Sequence, residues 1–352
     1  MKIIHCADVH LGSKLTSKFP KHIADERRME VRNSFRRMVE YARAQGVGVI
    51  LLAGDVFDSD KPYKKDKDFF FSVVENNPDV DFLYLRGNHD GDGERKDLPN
   101  LKTFGDEWTY YTYGDVVFAG VEISAQNATS VYSTLSLSAD KKNVVTLHGQ
   151  VGDASGKDKI NRIKLREKNI DYLALGHIHS YGSERLDRRG VYAYSGCLEG
   201  RGFDETGAKG FVLLSVGETV SHTFVPFSQS PIERVELDVS GVNDAYAAYL
   251  LAKRQIDFSR DTVYRVELIG ETDVDGVSLA PDLQKHLQSE CAFVDVKDCT
   301  KKKVDWSAYD NDVSLKGEFA RTVYASTDFS DEEKAQIVAY GLRALAGGEI
   351  EE

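Results

Sequence analysis

Five short apolar runs in the first half of the chain each stop at residues able to bind metal or carry protons, and this repeated grammar constrains the fold more than any other feature. They are Ile3 to Ala7 before Asp8-Val9-His10, Val49 to Ala53 before Gly54-Asp55, Leu83 to Leu85 before Arg86-Gly87-Asn88-His89-Asp90, Val144 to Leu147 before His148-Gly149, and Tyr172 to Leu175 before Gly176-His177-Ile178-His179. Short β-branched or leucine-rich runs of this kind read as strands buried on both faces. Ligands in open α/β sheets gather outside the carboxyl ends of such strands. Five strand ends are therefore expected to face one crevice.

Asp8, His10, Asp55, Asn88, His148, His177 and His179 are too many ligands for one ion. They suit two adjacent cations sharing a carboxylate, with Asp55 as the bridge because it ends a central strand and Gly54 frees its turn. Side chains two apart at a strand terminus leave on the same side, so Asp8/His10 and His177/His179 are each expected to grip from one direction. Imidazole, carboxylate and carboxamide ligands without a thiolate favour manganese, iron or zinc over calcium. Two cations roughly 3.5–4 Å apart clamp the attacking and leaving oxygens of an in-line phosphoryl displacement and make hydroxide available near neutral pH. His89 is the expected general acid for the leaving oxygen, since it follows a ligand and Asp90 is placed to orient its ring. Any one of these histidines alone reads as an ordinary core or loop residue, as His5 inside the first strand does. Five such motifs, each at a strand end, point to a metal site.

At 352 residues the chain is long for one core, and two domains are expected. The break is placed at Phe227-Ser228-Gln229-Ser230-Pro231, giving residues 1–230 and 231–352. The net charge is −12, and residues 231–352 carry 25 acidic against 14 basic side chains. That balance argues against holding nucleic acid by bulk electrostatics and leaves the task to local patches. Lys14, Lys18, Lys61, Lys64, Lys65, Arg95 and Lys96 are read as loop residues beside the ligand motifs, the expected phosphate contacts. Phe35, Met38, Val39 and Ala42 recur at helical spacing in a helix expected from about Ile23 to Ala44. A second helical stretch is expected at Phe69 to Val74 and a basic one near Ile160 to Lys168. Val191 to Tyr194 and Gly210 to Val216 are expected to close a second sheet. Beyond the break, strands at Ile232 to Val239, Val263 to Ile269 and Phe293 to Val296 alternate with helices near Ala245 to Gln255, Leu279 to Leu287 and Asp331 to Ala346. Cys6, Cys197, Cys291 and Cys299 show no CxxC spacing and read as buried free thiols of a reducing cytosol. Asp8 and His10 fall where a signal peptide needs an apolar run, and no run reaches membrane-spanning length. A soluble cytoplasmic protein with no membrane partner is expected.

These motifs resemble the calcineurin-like metallophosphoesterase superfamily. Met1 to Gly12, Leu52 to Asp58 and Arg86 to Asp90 resemble more narrowly its SbcD-type DNA repair exonuclease branch, the nuclease subunit of SbcCD, and the likeness covers about residues 1–230. The resemblance implies an α/β fold: a two-sheet α/β/β/α metallophosphoesterase sandwich with a smaller C-terminal α+β cap-like domain. It implies Asp8, His10 and His179 on one metal, Asn88, His148 and His177 on the other, Asp55 on both, and His89 as the transition-state histidine. Nucleases of this branch use manganese, degrade DNA from 3′ ends and cut single strands, usually as dimers beside a coiled-coil ATPase. DNA, a homodimer and an SbcC-like coiled-coil ATPase are the implied partners. Residues 231–352 resemble the branch's cap only weakly, and its extended ATPase-gripping segment is not evident there. The tail from Gly317-Glu318-Phe319 through Leu345 looks more like bacterial SbcD-like proteins with a shorter C-terminal part. The leading expectation is a two-manganese DNA phosphodiesterase, exonuclease and endonuclease, in DNA repair. A metallophosphatase or nucleotide phosphodiesterase of small substrates is the second reading, and a catalytically inactive scaffold the third.

Overall fold

Strands β1 (Lys2–Cys6), β2 (Val49–Ala53) and β3 (Asp81–Leu85) pair in parallel, and each is buried almost throughout. Alternation along them serves two cores at once. Ile3, Leu51 and Leu83 point between two sheets, while Ile4, Ile50 and Phe82 point outward. Helices α1 (Lys21–Ala44) and α2 (Lys64–Glu75) cover the outward set with Phe35, Met38, Val39, Phe70 and Val74. The first sheet is completed by β4 (Leu101–Thr103), β13 (Gly210–Val216) and β14 (Val220–Pro226) in the order β14-β13-β1-β2-β3-β4. The computed structural model describes residues 1–91, 96–272, 276–302 and 306–345, and the chain divides into two compact units, Met1–Glu233 and Arg234–Glu352.

The second sheet holds β5 (Thr109–Tyr113), β6 (Val116–Gly120), β7 (Lys142–His148), β10 (Tyr172–Gly176), β11 (Gly182–Arg185) and β12 (Val191–Tyr194), in the order β11-β12-β10-β7-β6-β5. Phe118, Val144, Tyr172 and Ala174 close the inner core against the first sheet. Val145, Leu147, Leu173 and Leu175 meet Val131, Tyr132, Leu135 and Leu165 on the outer face. This is the two-sheet α/β sandwich, with β8 (Gln150–Gly152) and β9 (Lys159–Asn161) as a separate parallel pair.

Four local expectations are corrected. Gly210–Val216 joins the first sheet, antiparallel to β1 with Ile3 opposite Leu214, and so covers an edge that β1 would otherwise leave open. The basic helix near residues 160–168 shrinks to Arg162–Leu165: Ile160 belongs to β9, the Asn161 side chain caps the turn, and Glu167 and Asn169 have positive φ just after it. Lys64 and Lys65 lie in the first turn of α2, not in a loop. Among the cysteines, Cys299 is exposed, not buried.

The second unit holds a three-stranded sheet in the order Ile232–Asp238, Val263–Ile269, Phe293–Asp298, the first crossing the dividing point, and a short parallel pair, Glu271–Thr272 with Lys301–Lys302. Helices Ala245–Gln255 and Gly276–Leu287 share a core with them through Ala248, Ala252, Leu283, Val266 and Val294. Leu315–Ala325 is a helix beyond those expected from the sequence and packs with Asp331–Leu345 through Ala320, Val323 and Val338. Among the described residues no helix is long and apolar enough to cross a membrane.

His5 links the two sheets. Its ring is fully buried, with Nδ1 2.9 Å from the Tyr172 hydroxyl and Nε2 3.2 Å from the Leu175 carbonyl. The carbonyl can only accept, so Nε2 carries the proton and Nδ1 accepts from Tyr172. Burial pushes the ring's pKa down to about 3. A folded-state value below the unfolded one means that protons favour unfolding: the stabilisation is full above about pH 6.5 and is lost progressively as pH falls toward 3. This residue alone is expected to remove about 2 kcal/mol between pH 7 and pH 5. Denaturant melts of His5→Gln should show a smaller loss over that interval than the unmodified chain, and an equal loss would refute the assignment.

Candidate metal centre

Four of the strands end before their ligands begin, His148 being the last residue of its own strand, and the backbone turns sharply at several of these ends. Asp8, His10, Asp55 and His177 have φ of 51°, 50°, 52° and 96°. Side-chain-bearing residues held in this region cost about 1–3 kcal/mol each and persist where the surroundings over-determine them, commonly at functional sites. Here the Asp8 and His10 amides each donate to the Gly54–Asp55 turn at 3.0 Å. Gly54, at φ 98°, lies against the His148 ring, and Gly87 lies against the Asp55 carboxylate. A Cβ at either position would collide with a ligand. The glycines are there to let the ligands close in.

Two groups of donor atoms result. In the first, His10 Nε2 and His179 Nε2 lie 3.3 Å apart, with Asp8 Oδ1 3.9 Å from His179 Nε2. In the second, Asn88 Oδ1 is 3.0 Å from His148 Nε2 and 3.1 Å from His177 Nδ1. Asp55 Oδ2 stands between them, 3.8 Å from His10 Nε2 and 3.4 Å from His148 Nε2. Asp8 also comes within reach of Asp55 and His148. His89 sits at the edge: its amide donates to Asp55 Oδ1 at 2.9 Å, and its exposed ring meets that of His10 edge-on at 5.2 Å.

A family model described as calcineurin-like phosphoesterase matches residues 1–181, just over half of the chain. The chain belongs to the calcineurin-like phosphoesterase family. It is similar to the uncharacterized metallophosphoesterase YhaO of Bacillus subtilis, 26% identical over 72% of this chain and 67% of that protein. It is also similar to the DNA double-strand break repair protein Mre11 of Saccharolobus solfataricus, 26% identical over 56% of this chain and 54% of that one. The chain thus spans between about half and two thirds of the length of these relatives. Among solved structures, a dimetal phosphatase from Danio rerio aligns over 63% of this chain and 95% of its own, at 12% identity and a TM-score of 0.42.

The donor set of this metal-dependent phosphoesterase fits two cations. Asp8 and Asp55 are buried carboxylates, and charges taken out of water require compensation. Burial disfavours the His148 imidazolium, yet the Asp55 hydrogen bond and the charges of Asp8 and Asp55 lift its pKa to about 9. Burial likewise opposes ionisation of Asp55, but His148 and His10 hold its carboxyl at about 2. The site draws positive charge inward. In the first group two imidazole nitrogens face each other beside a carboxylate, an arrangement suited to a cation between them.

Other expectations change in detail. His177 and His179 do not grip together: His177 turns to Asn88 and His179 to His10, because strand alternation ends at Gly176 and His177 is left-handed. Asp90 does not engage the His89 ring. Its oxygens accept from the Val56, Phe57 and Gly87 amides, tying together the two ligand loops, and burial raises its carboxyl pKa to about 6.

Several functional neighbours were not marked in the sequence. Asp58 Oδ1 lies 3.1 Å from His10 Nδ1, and Glu205 Oε1 accepts from His179 Nδ1 at 2.8 Å. Arg201 contacts both carboxylates, and buried Lys209 donates to the His179 carbonyl at 2.8 Å. Their signal is weak, since Arg201 and Glu205 fall in a loop with no ligand motif of its own.

Of the expected phosphate contacts, Lys18, Lys64 and Lys96 close ion pairs with Asp204, Asp68 and Glu75 at 2.6–2.7 Å. Exposed pairs of this kind are weak and open readily. Lys14, Lys61 and Lys65 are exposed, with Lys65 near the Tyr63 ring. Arg95 lies outside the described residues.

Proposed function

We propose that the chain is a two-manganese DNA phosphodiesterase acting in DNA repair. The observation that carries the reading is the position of Asp55 Oδ2 between two ligand groups, with the exposed His89 ring beside it. Bound divalent ions would stabilise charge on the phosphoryl oxygens and activate a water for attack on phosphorus. The chain's own part is placement and proton supply. Asp55 pins the His89 amide, and the ring holds the proton that the departing sugar oxygen takes. Exposure of His89 and Asn88 leaves the site open to a polymer, and Lys14, Lys61 and Lys65 supply positive charge for its phosphates.

DNA as the substrate is supported by relatives named as DNA double-strand break repair proteins. The resemblance of the motifs to the SbcD-type branch brings a homodimer and an SbcC-like coiled-coil ATPase into the proposal, with residues 231–352 selecting the DNA. The net charge of −12 favours a second reading, hydrolysis of small phosphate esters. A matched assay with manganese on end-labelled duplex, single-stranded DNA and a chromogenic phosphodiester separates the two. Shortened DNA products are expected. Turnover of the chromogenic ester with all DNA left intact would overturn the nuclease reading.

A further inference from the structure

The two ligand groups are supported in different ways. In the second, the His148 ring is fixed by main chain, its Nδ1 standing 2.9 Å from the Ala53 carbonyl. In the first, both histidines are backed by carboxylates, and both carboxylates converge on one side chain. Arg201 Nη1 donates to Asp58 Oδ1 at 2.9 Å, and Arg201 Nη2 donates to Glu205 Oε1 at 2.9 Å. The Arg201 amide adds a bond to Glu205 Oε2 at 2.8 Å. Asp58 Oδ1 and Glu205 Oε1 are the same oxygens that face His10 Nδ1 and His179 Nδ1. Each oxygen is thus shared by one guanidinium nitrogen and one imidazole nitrogen.

We propose that Arg201 is a positioning residue for one metal site only: through Asp58 and Glu205, and with its own Nη2 3.0 Å from His179 Nδ1, it aims His10 and His179, so that its loss separates a weakened first site from an intact second one. The guanidinium suits the task because its planar fork presents several donors at fixed angles, and a lysine ammonium at the same place would be a single point charge. Arg201 is 13% exposed in its side chain, so the clamp is largely shielded from water. His10 Nδ1 meets Asp58 obliquely, without the alignment of a good hydrogen bond. The aim of that ring therefore depends on where Arg201 holds the carboxylate. Carboxylates behind metal-binding histidines set ring orientation, and their loss typically costs about 10–100-fold in metal affinity. The clamp also spans sequence: it ties the Asp55–Asp58 turn to the 199–205 loop, which carries no ligand itself.

The inference rests on the two-metal reading, and the test tells the two apart. Calorimetric titration of the full chain with manganese should give two equivalents, and electron paramagnetic resonance of the loaded protein should show an exchange-coupled pair. Arg201→Ala should keep one equivalent at unchanged affinity, weaken the other by about 10–100-fold, and replace the coupled signal at limiting manganese by that of an isolated ion. Arg201→Lys should not restore the pair. Glu205→Gln, which preserves volume, should reproduce the selective loss and supplies the test if Arg201→Ala does not fold. Asn88→Ala should weaken the opposite site, and the double variant both. Two equivalents lost together in Arg201→Ala and Glu205→Gln, or neither affected, would overturn the Arg201 assignment alone. A single equivalent in the unmodified chain would overturn the two-metal reading itself.

Discussion

Asp55→Ala is expected to strip the protein of both ions and abolish hydrolysis. Asp55 Oδ2 faces both ligand groups, 3.8 Å from His10 Nε2 and 3.4 Å from His148 Nε2. Removing it deletes a charged ligand from each group, so each site should lose more than the roughly 10–100-fold that an outer-shell change costs. The substitution also frees the His89 amide, which donates to Asp55 Oδ1 at 2.9 Å, and so loosens the loop that carries the proposed acid. Asp55→Asn divides these effects. The carboxamide keeps an acceptor for His89 but loses the charge, so metal loss without loop loosening is expected from it. Metal content by elemental analysis and manganese titration decide the matter. Two equivalents bound with unchanged affinity in either variant would rule out the bridge.

His89→Ala should do the opposite: keep both metals and lose turnover. The ring lies at the rim, edge-on to His10 at 5.2 Å, and the donor atoms of both groups come from other side chains. A positioned general acid is worth about 10²–10⁴ in rate, and a loss of that size with unchanged manganese stoichiometry is the expected result. The loss should shrink for a substrate with a good leaving group, such as a nitrophenyl ester, because that oxygen needs less help to depart. Depletion of metal in His89→Ala, or an equal loss on both substrates, would remove the acid role.

Asp58, Glu205 and Arg201 show why part of the centre was hidden in the sequence. The ligands were legible because each closes an apolar run, as Asp55 closes Val49–Ala53 and His148 ends the Lys142–His148 strand. Arg201 and Glu205 follow no such run, and their work depends on meeting Asp58 from a loop 143 residues away. The reversal of His177 against His179 was hidden for a related reason. Alternation is a property of extended backbone, and the chain leaves that state at Gly176. Gly210–Val216 is legible as a strand but its sheet is not, since its apolar alternation serves either core and only pairing with β1 decides between them.

The amino-acid sequence by itself determined where the strands lie, which residues follow them, and hence that donors from distant segments belong to one phosphoesterase centre. Local period and composition carry that information, because burial on both faces demands unbroken apolar runs. Only the tertiary structure decided how the donors divide, which oxygen lies between the groups, and which arginine braces two of the histidines. Those are distances between loops far apart in the chain, set by left-handed turns and cross-sheet packing that no local pattern encodes.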